Sequence, residues 1–225
     1  MSNEDNTVKN EKPVSAFHGN ERIIALSDGV FAIVITLLVL EIKVPHIEPS
    51  LVDKELPYAL MHLLPKIIAH ILSFVVLGIY WISHHNTFMH IKRHDRVLLW
   101  LNILFLLCVA SMPFPTALLS EYPDQQIAIV AYASTLVLAG IAMDVIWWYA
   151  STHRLLDETQ EDKNFIAFVH RRNLTAPLAY LFAIGVSFVS LTLAKLVFIV
   201  VGLYYILPNP LDRKRLQQLS RRFDR

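Results

Sequence analysis

The sequence predicts an all-α integral membrane protein with six transmembrane helices and both termini in the cytoplasm. Three observations carry that prediction. The first is composition: of 225 residues, 55% are hydrophobic and 17% charged, against about 45–50% and about 25% in soluble domains. The second is distribution, since the apolar residues fall in long runs separated by short charged pieces, as membrane spans do. The third is the placement of Lys and Arg, which gather on one side of a six-span arrangement.

Residues 1–20 are polar and mixed in charge, with no apolar core of the signal-peptide kind. The first span is therefore expected to insert directly. Residues 21–207 form the six-span domain. Span 1 covers residues 22–44 and is stopped by Pro45, and the segment Pro45–Pro57 has three prolines and reads as a loop. Span 2, residues 60–84, carries Pro65 in its first turns, where a missing N–H is tolerated. The charged stretch HHNTFMHIKRHDR follows. Span 3, residues 97–119, is kinked or closed by Pro113 and Pro115. A short acidic connection leads to span 4, residues 127–150. The stretch 152–172 is polar and reads as a surface helix. Leu174–Leu207 holds 34 residues and as one helix would be about 50 Å long, too long for a hydrocarbon core of about 30 Å. It is divided into spans 174–190 and 194–207, with one long tilted helix as the alternative. Residues 208–225 are a basic tail suited to an anionic membrane surface.

With six spans, sixteen of the twenty Lys and Arg residues lie on the side of the termini; only Lys43, Lys54, Lys66 and Lys195 lie opposite. The positive-inside rule then makes that side cytoplasmic. A five-span arrangement would export the six basic residues of the tail.

Asp28 interrupts span 1 six residues after Arg22, about 9 Å along the axis. A lone carboxylate in a span costs about 2.5–3.5 kcal/mol on insertion scales. His84 ends span 2, Asn102 lies early in span 3 and Asp144 late in span 4, so four spans place a polar group towards one side. Such groups pair with one another. A buried network is expected of Ser27 and Asp28 with Arg22, His84 and Asn102, and with Asp144 as a further candidate. It reads as a clamp that orients helices or as a proton relay titrating through His84. Beyond Asp28, Ile33, Leu37 and Leu40 make one helical stripe, with Thr36 beside it.

His90 and His94 stand four apart, a spacing that can hold a metal on one helix face. No HExxH motif or Cys ligand accompanies them, and Lys92 and Arg93 intervene, so no metal is expected. No nucleophile elbow or phosphate loop is present. No enzymatic activity, cofactor or nucleic-acid partner is expected, and the lone Cys108 reads as a buried thiol. A proton-coupled transporter using Asp28, His84 and Asp144 is the alternative to a channel.

Several motifs point further. Arg22-x-x-x-Leu26-Ser27-Asp28-Gly29 resembles the RxxxFSDG signature of the transmembrane protein 175 family, the lysosomal potassium channels and their bacterial relatives. Leu26 replaces the usual Phe and keeps an apolar wedge. Tyr80-Trp81-x-x-His84-His85, Asn102 and Met112-Pro113-Phe114-Pro115-Thr116 extend the resemblance to Thr116. It implies a six-helix subunit, here a single repeat that assembles as a homotetramer in the plasma membrane around a K⁺-permeable pore. It further implies that span 1 lines the pore, with Ile33, Leu37 and Leu40 as apolar constriction rings and Thr36 as a hydroxyl ring. Arg22, Ser27, Asp28, Trp81, His84 and Asn102 would be the polar network behind that helix. No TVGYG-like carbonyl filter is present.

Overall fold

The computed structural model describes residues 17–157 and 163–207, and the regular elements among them are helices. The polar segment ahead of Phe17 and the basic tail from residue 208 lie outside the described residues. Helix α1 (Phe17–Leu37) tightens into a 3-10 turn at Leu38–Glu41, and an extended stretch follows. Helix α2 (Val52–His62) and α3 (Leu64–His90) are separated by one turn residue, Leu63. Helix α4 (Arg96–Ala110) and α5 (Pro113–Glu121) are separated by the turn Ser111–Met112. Helices α6 (Gln126–Thr152), α7 (Lys163–Ser187) and α8 (Leu191–Ile206) complete the fold.

Two of these elements differ from the sequence expectation. Helix α2 begins at Val52, inside the stretch expected as loop, and carries Pro57 within it. Pro57 removes only one hydrogen bond on an exposed turn, while Asp53 and Glu55 in the first turn complement the helix dipole. Helix α7 begins at Lys163, well before the expected start of span 5. The polar stretch is therefore not a separate surface helix: its first residues end α6, and its last form the opening turns of α7. The chain breaks again at Phe188–Ser190, where Ser190 caps α8 by accepting from the Leu193 N–H at 3.3 Å.

Among the described residues, four stretches are long and apolar enough to cross a membrane: Asn20–Glu41, Val52–His90, Arg96–Glu121 and Gln126–Thr152. Helix α8 is apolar but shorter, and α7 carries His170, Arg171 and Arg172.

Bonds between elements sort the helix ends into two groups. At one end Asn20 Nδ2 donates to the Ile91 carbonyl at 2.5 Å. There the Asp157 N–H donates to the His90 carbonyl at 3.1 Å, and the Tyr205 hydroxyl to the Arg172 carbonyl at 2.6 Å. At the other end Lys66 pairs with Glu121, and Gln126 Nε2 donates to Ser187 Oγ at 3.3 Å. Lys195 Nζ reaches the Pro123 carbonyl there at 3.0 Å. The runs α1, α3, α4–α5, α6, α7 and α8 therefore alternate in direction.

Helix α6 is the hub, flanked by α4, α5, α7 and α8. Its buried residues include Ala128, Ala133, Ala139, Gly140, Ala142 and Ala150, small side chains that let helices approach closely. The tightest approach is at Gly140, where a Cβ would lie 2.4 Å from Pro177 Cγ and 3.2 Å from the Tyr80 hydroxyl oxygen. Gly140→Ala is expected to cost about 1–3 kcal/mol by overpacking and to lower the melting temperature in detergent. Gly185→Ala, whose Cβ would meet nothing within 4 Å, is the control and should not destabilise.

Asp95 starts α4 by accepting from the Leu98 N–H at 2.8 Å and from the Tyr149 hydroxyl at 2.6 Å. The Leu98 N–H, and after it the Tyr149 hydroxyl, holds its carboxyl below the ordinary value. A depressed folded-state pKa means that the ionised cap stabilises the fold above the unfolded value of about 3.9. That contribution fades as pH falls through the folded value. Asp95→Asn keeps a capping oxygen without titrating, so it should lose less melting temperature than the native chain on acidification below about pH 4. Equal acid sensitivity would contradict this role.

Candidate functional site

Helix α1 has two unlike faces. Ile23, Ser27, Phe31, Val34 and Leu38 are buried at helical spacing against α3 and α4. The opposite face is left uncovered by the described residues of the subunit: Ile33 is 60% exposed, Leu37 43% and Leu40 66%. The tightening after Leu37 keeps the stripe in line, because residues three apart eclipse in a 3-10 turn. Ala25, Gly29, Ala32 and Thr36 share the uncovered side. Thr36 Oγ1 donates back to the Ala32 carbonyl at 3.0 Å and the Ile33 carbonyl at 2.8 Å. Its hydrogen is thus turned to the backbone, and its lone pairs are left for an outside partner.

Behind that face lies a buried polar chain that ties α1 to two neighbours. Asn102 Nδ2 donates to Ser27 Oγ at 3.2 Å, and Ser27 Oγ donates to the Ile23 carbonyl at 2.9 Å. The Asn102 Oδ1 must then accept, so the His84 Nε2 that meets it at 2.9 Å is the donor. His84 Nδ1 is buried without a hydrogen-bond partner among the described residues. The imidazole stacks on Phe88 with ring centroids 4.4 Å apart and on Phe105 at 5.5 Å, the latter nearly parallel at 9°. Hydrogen bonds along the chain run one way and stop at a backbone carbonyl. The arrangement ties α1 to α3 and α4; a relay would need a partner on the second imidazole nitrogen.

Asp28 is half-buried and accepts from Trp81 Nε1 at 2.8 Å, and Trp81 stacks on His85 with centroids 5.8 Å apart. Arg22 does not meet Asp28 within the subunit: Arg22 is exposed and makes no ion pair among the described residues. Six residues rotate a helix by about 240°, so the two side chains leave α1 in different directions. Asp144 also stands apart from the network. It faces α7 and meets His170 Nδ1 at 2.9 Å, on the side of α6 from which Trp147 Nε1 donates to the Ile166 carbonyl at 3.2 Å. Asp28, His84 and Asp144 thus have three separate sets of partners, which disfavours a transporter built on a path through them.

Sequence reasoning missed two features. The first is the aromatic bracket around His84, invisible in a chain where apolar residues are everywhere. The second is a hydroxyl cluster towards the other end of the bundle. Thr116 Oγ1 meets Ser73 Oγ at 2.9 Å, and Ser73 Oγ meets the Tyr132 hydroxyl at 3.0 Å. Tyr80 adds a 2.7 Å bond to the Leu136 carbonyl. Hydroxyls inside apolar runs were the available signal.

Comparisons with known proteins agree on one family. The family model described as the endosomal/lysosomal potassium channel TMEM175 matches residues 22–113. A potassium channel of Streptomyces collinus is 36% identical over 192 residues, covering 82% of this chain and 90% of its own. A potassium channel of Chamaesiphon minutus is 37% identical over 190 residues, covering 83% and 93%. The crystal structure of a lysosomal potassium-selective channel TMEM175 homolog from Chamaesiphon minutus superposes with a TM-score of 0.74 at 35% identity, over 84% of this chain and 97% of that one.

Proposed function

Since the chain belongs to the TMEM175 family, we propose that it is a potassium-permeable, leak-type cation channel of the plasma membrane. Six spans form each subunit, with both termini cytoplasmic, and four subunits surround a central axis lined by α1. The observation that carries this reading is the two-faced exposure of α1. Its inner face is locked by the Ser27–Asn102–His84 chain, and its outer face offers Ile33, Leu37 and Leu40 with no cover from the described residues of its own subunit. The small residues Ala25, Gly29 and Ala32 on that face allow symmetry-related copies to approach closely.

In this arrangement Ile33, Leu37 and Leu40 form successive apolar rings. A ring too narrow for hydrated ions dewets and blocks passage, so a small rotation or spreading of α1 gates conduction. The outward lone pairs of Thr36 replace part of an ion's hydration shell. With one hydroxyl per subunit and no carbonyl cage, discrimination between K⁺ and Na⁺ is modest. Arg22, Ser27, Asp28, Trp81, His84 and Asn102 serve as support, Arg22 from an exposed position where a neighbouring subunit or lipid headgroup can meet it.

The test is reversal-potential measurement in liposome-derived patches under opposed K⁺ and Na⁺ gradients. Discrete current steps reversing towards the K⁺ potential are expected, and Thr36→Val should shift the K⁺/Na⁺ permeability ratio. Absence of unitary current, or flux at a fixed stoichiometry with protons, would contradict the channel.

A further inference from the structure

A second polar site lies between α3, α6 and α7, away from α1. Ser83, Asn86, Thr87 and His90 form a stripe on α3, and Arg172 and Asn173 face them from α7 around a cavity of about 60 Å³. Trp147 and Val169 complete its wall. The Trp147 N–H is already given to the Ile166 carbonyl, and His90 Nδ1 bonds the Asn86 carbonyl at 2.6 Å. Most of the remaining polar lining is unspent. The side chains of Ser83, Asn86 and Thr87 make no hydrogen bond among the described residues, Thr87 is 4% exposed, and the Asn173 amide is turned to the Asp144 carboxylate. Arg172 lies over the Tyr205 ring, 5.8 Å from its centroid, and has no carboxylate partner among the described residues. No Asp or Glu lines the cavity. Asp144, one turn before Trp147 on α6, is occupied by His170 and Asn173.

A guanidinium, the Asn86 amide and two hydroxyls converging on a space with no carboxylate in its lining are a donor set for an oxyanion. The volume suits one such group or a few waters. We propose that this cavity is a binding site for a single phosphate-type oxyanion, with Arg172 as the charged anchor. It lies at the bundle end that the basic residues assign to the cytoplasmic surface, where basic pockets between helices take lipid headgroups. An anionic lipid phosphate and a free phosphate share the required chemistry. Bound there, either would pin α7 to α3, the helix against which α1 packs.

The test uses the full chain in phosphatidylcholine nanodiscs, with or without phosphatidylglycerol, and native mass spectrometry of the released protein. The native chain should retain phosphatidylglycerol several-fold over phosphatidylcholine. Arg172→Gln should abolish that preference. Arg171→Gln, an exposed change of equal charge, should leave it intact. A second arm adds inorganic phosphate to the phosphatidylcholine discs; an Arg172-dependent rise in melting temperature would identify free phosphate as the ligand. If neither arm depends on Arg172, the cavity holds water alone and the proposal is overturned. Should Arg172→Gln fail to fold, Asn86→Leu and Thr87→Val keep the charge, block the cavity and are read the same way. The proposal borrows from the channel reading only the assignment of this end to a membrane surface. Lipid retention is measured without current, so the two can fail separately.

Discussion

Leu37→Ala is expected to raise the cation current several-fold and to weaken its preference for K⁺. Leu37 sits mid-stripe on the uncovered face, between Ile33 and Leu40. Removing its isobutyl group widens the proposed ring and lowers the dewetting barrier. Because Leu37 is 43% exposed in the subunit, the change leaves little cavity behind, so folding should be nearly unaffected. Current through liposome-derived patches, normalised to reconstituted protein, is the measurement. Unchanged conductance and ion preference would remove Leu37 from the pore.

Asn102→Leu is the second large effect, and it acts on the support. Asn102 is 2% exposed and links His84 on α3 to Ser27 on α1. Leucine has similar bulk but leaves the His84 Nε2–H buried with no acceptor. That costs about 1–3 kcal/mol, and α1 loses its polar tie to both neighbours. Lower melting temperature, reduced yield of assembled protein and loss of current are expected together. Asn102→Asp keeps the acceptor for His84 and should recover part of the stability. A normal melting temperature with normal current in Asn102→Leu would show that the chain of bonds does not position α1.

Asp28→Ala is expected to be a milder change than Asn102→Leu. Its carboxylate serves the Trp81 indole at a half-buried edge, so its loss strands one N–H that water or lipid headgroups can reach.

Much of this site was legible in the chain because depth is readable from position. Ser27, His84 and Asn102 each lie a few residues inside a span from the same side, and they meet. What depth does not give is azimuth. Asp144 lies at a comparable depth to Asp28, yet α6 turns it to His170 on α7. Arg22 and Asp28 are close in sequence but point apart. The stripe of Ile33, Leu37 and Leu40 was one of many that could be drawn on an apolar helix. What distinguishes it is the burial of the opposite face, a property of packing. Helix boundaries failed where polarity and helicity diverge. Pro57 and the charged start of α7 both lie in helices, because exposed helical turns tolerate what a hydrocarbon core does not.

The most direct measurement is metal block of a cysteine placed at Leu37, in a chain with Cys108→Ala so that no other thiol is present. Under a K⁺ gradient, Cd²⁺ should abolish the current of Leu37→Cys and spare the Cys108→Ala parent. The contradicting result is a Leu37→Cys current that Cd²⁺ leaves untouched while the same thiol reacts with a maleimide dissolved in the lipid, which would place this face of α1 against the bilayer.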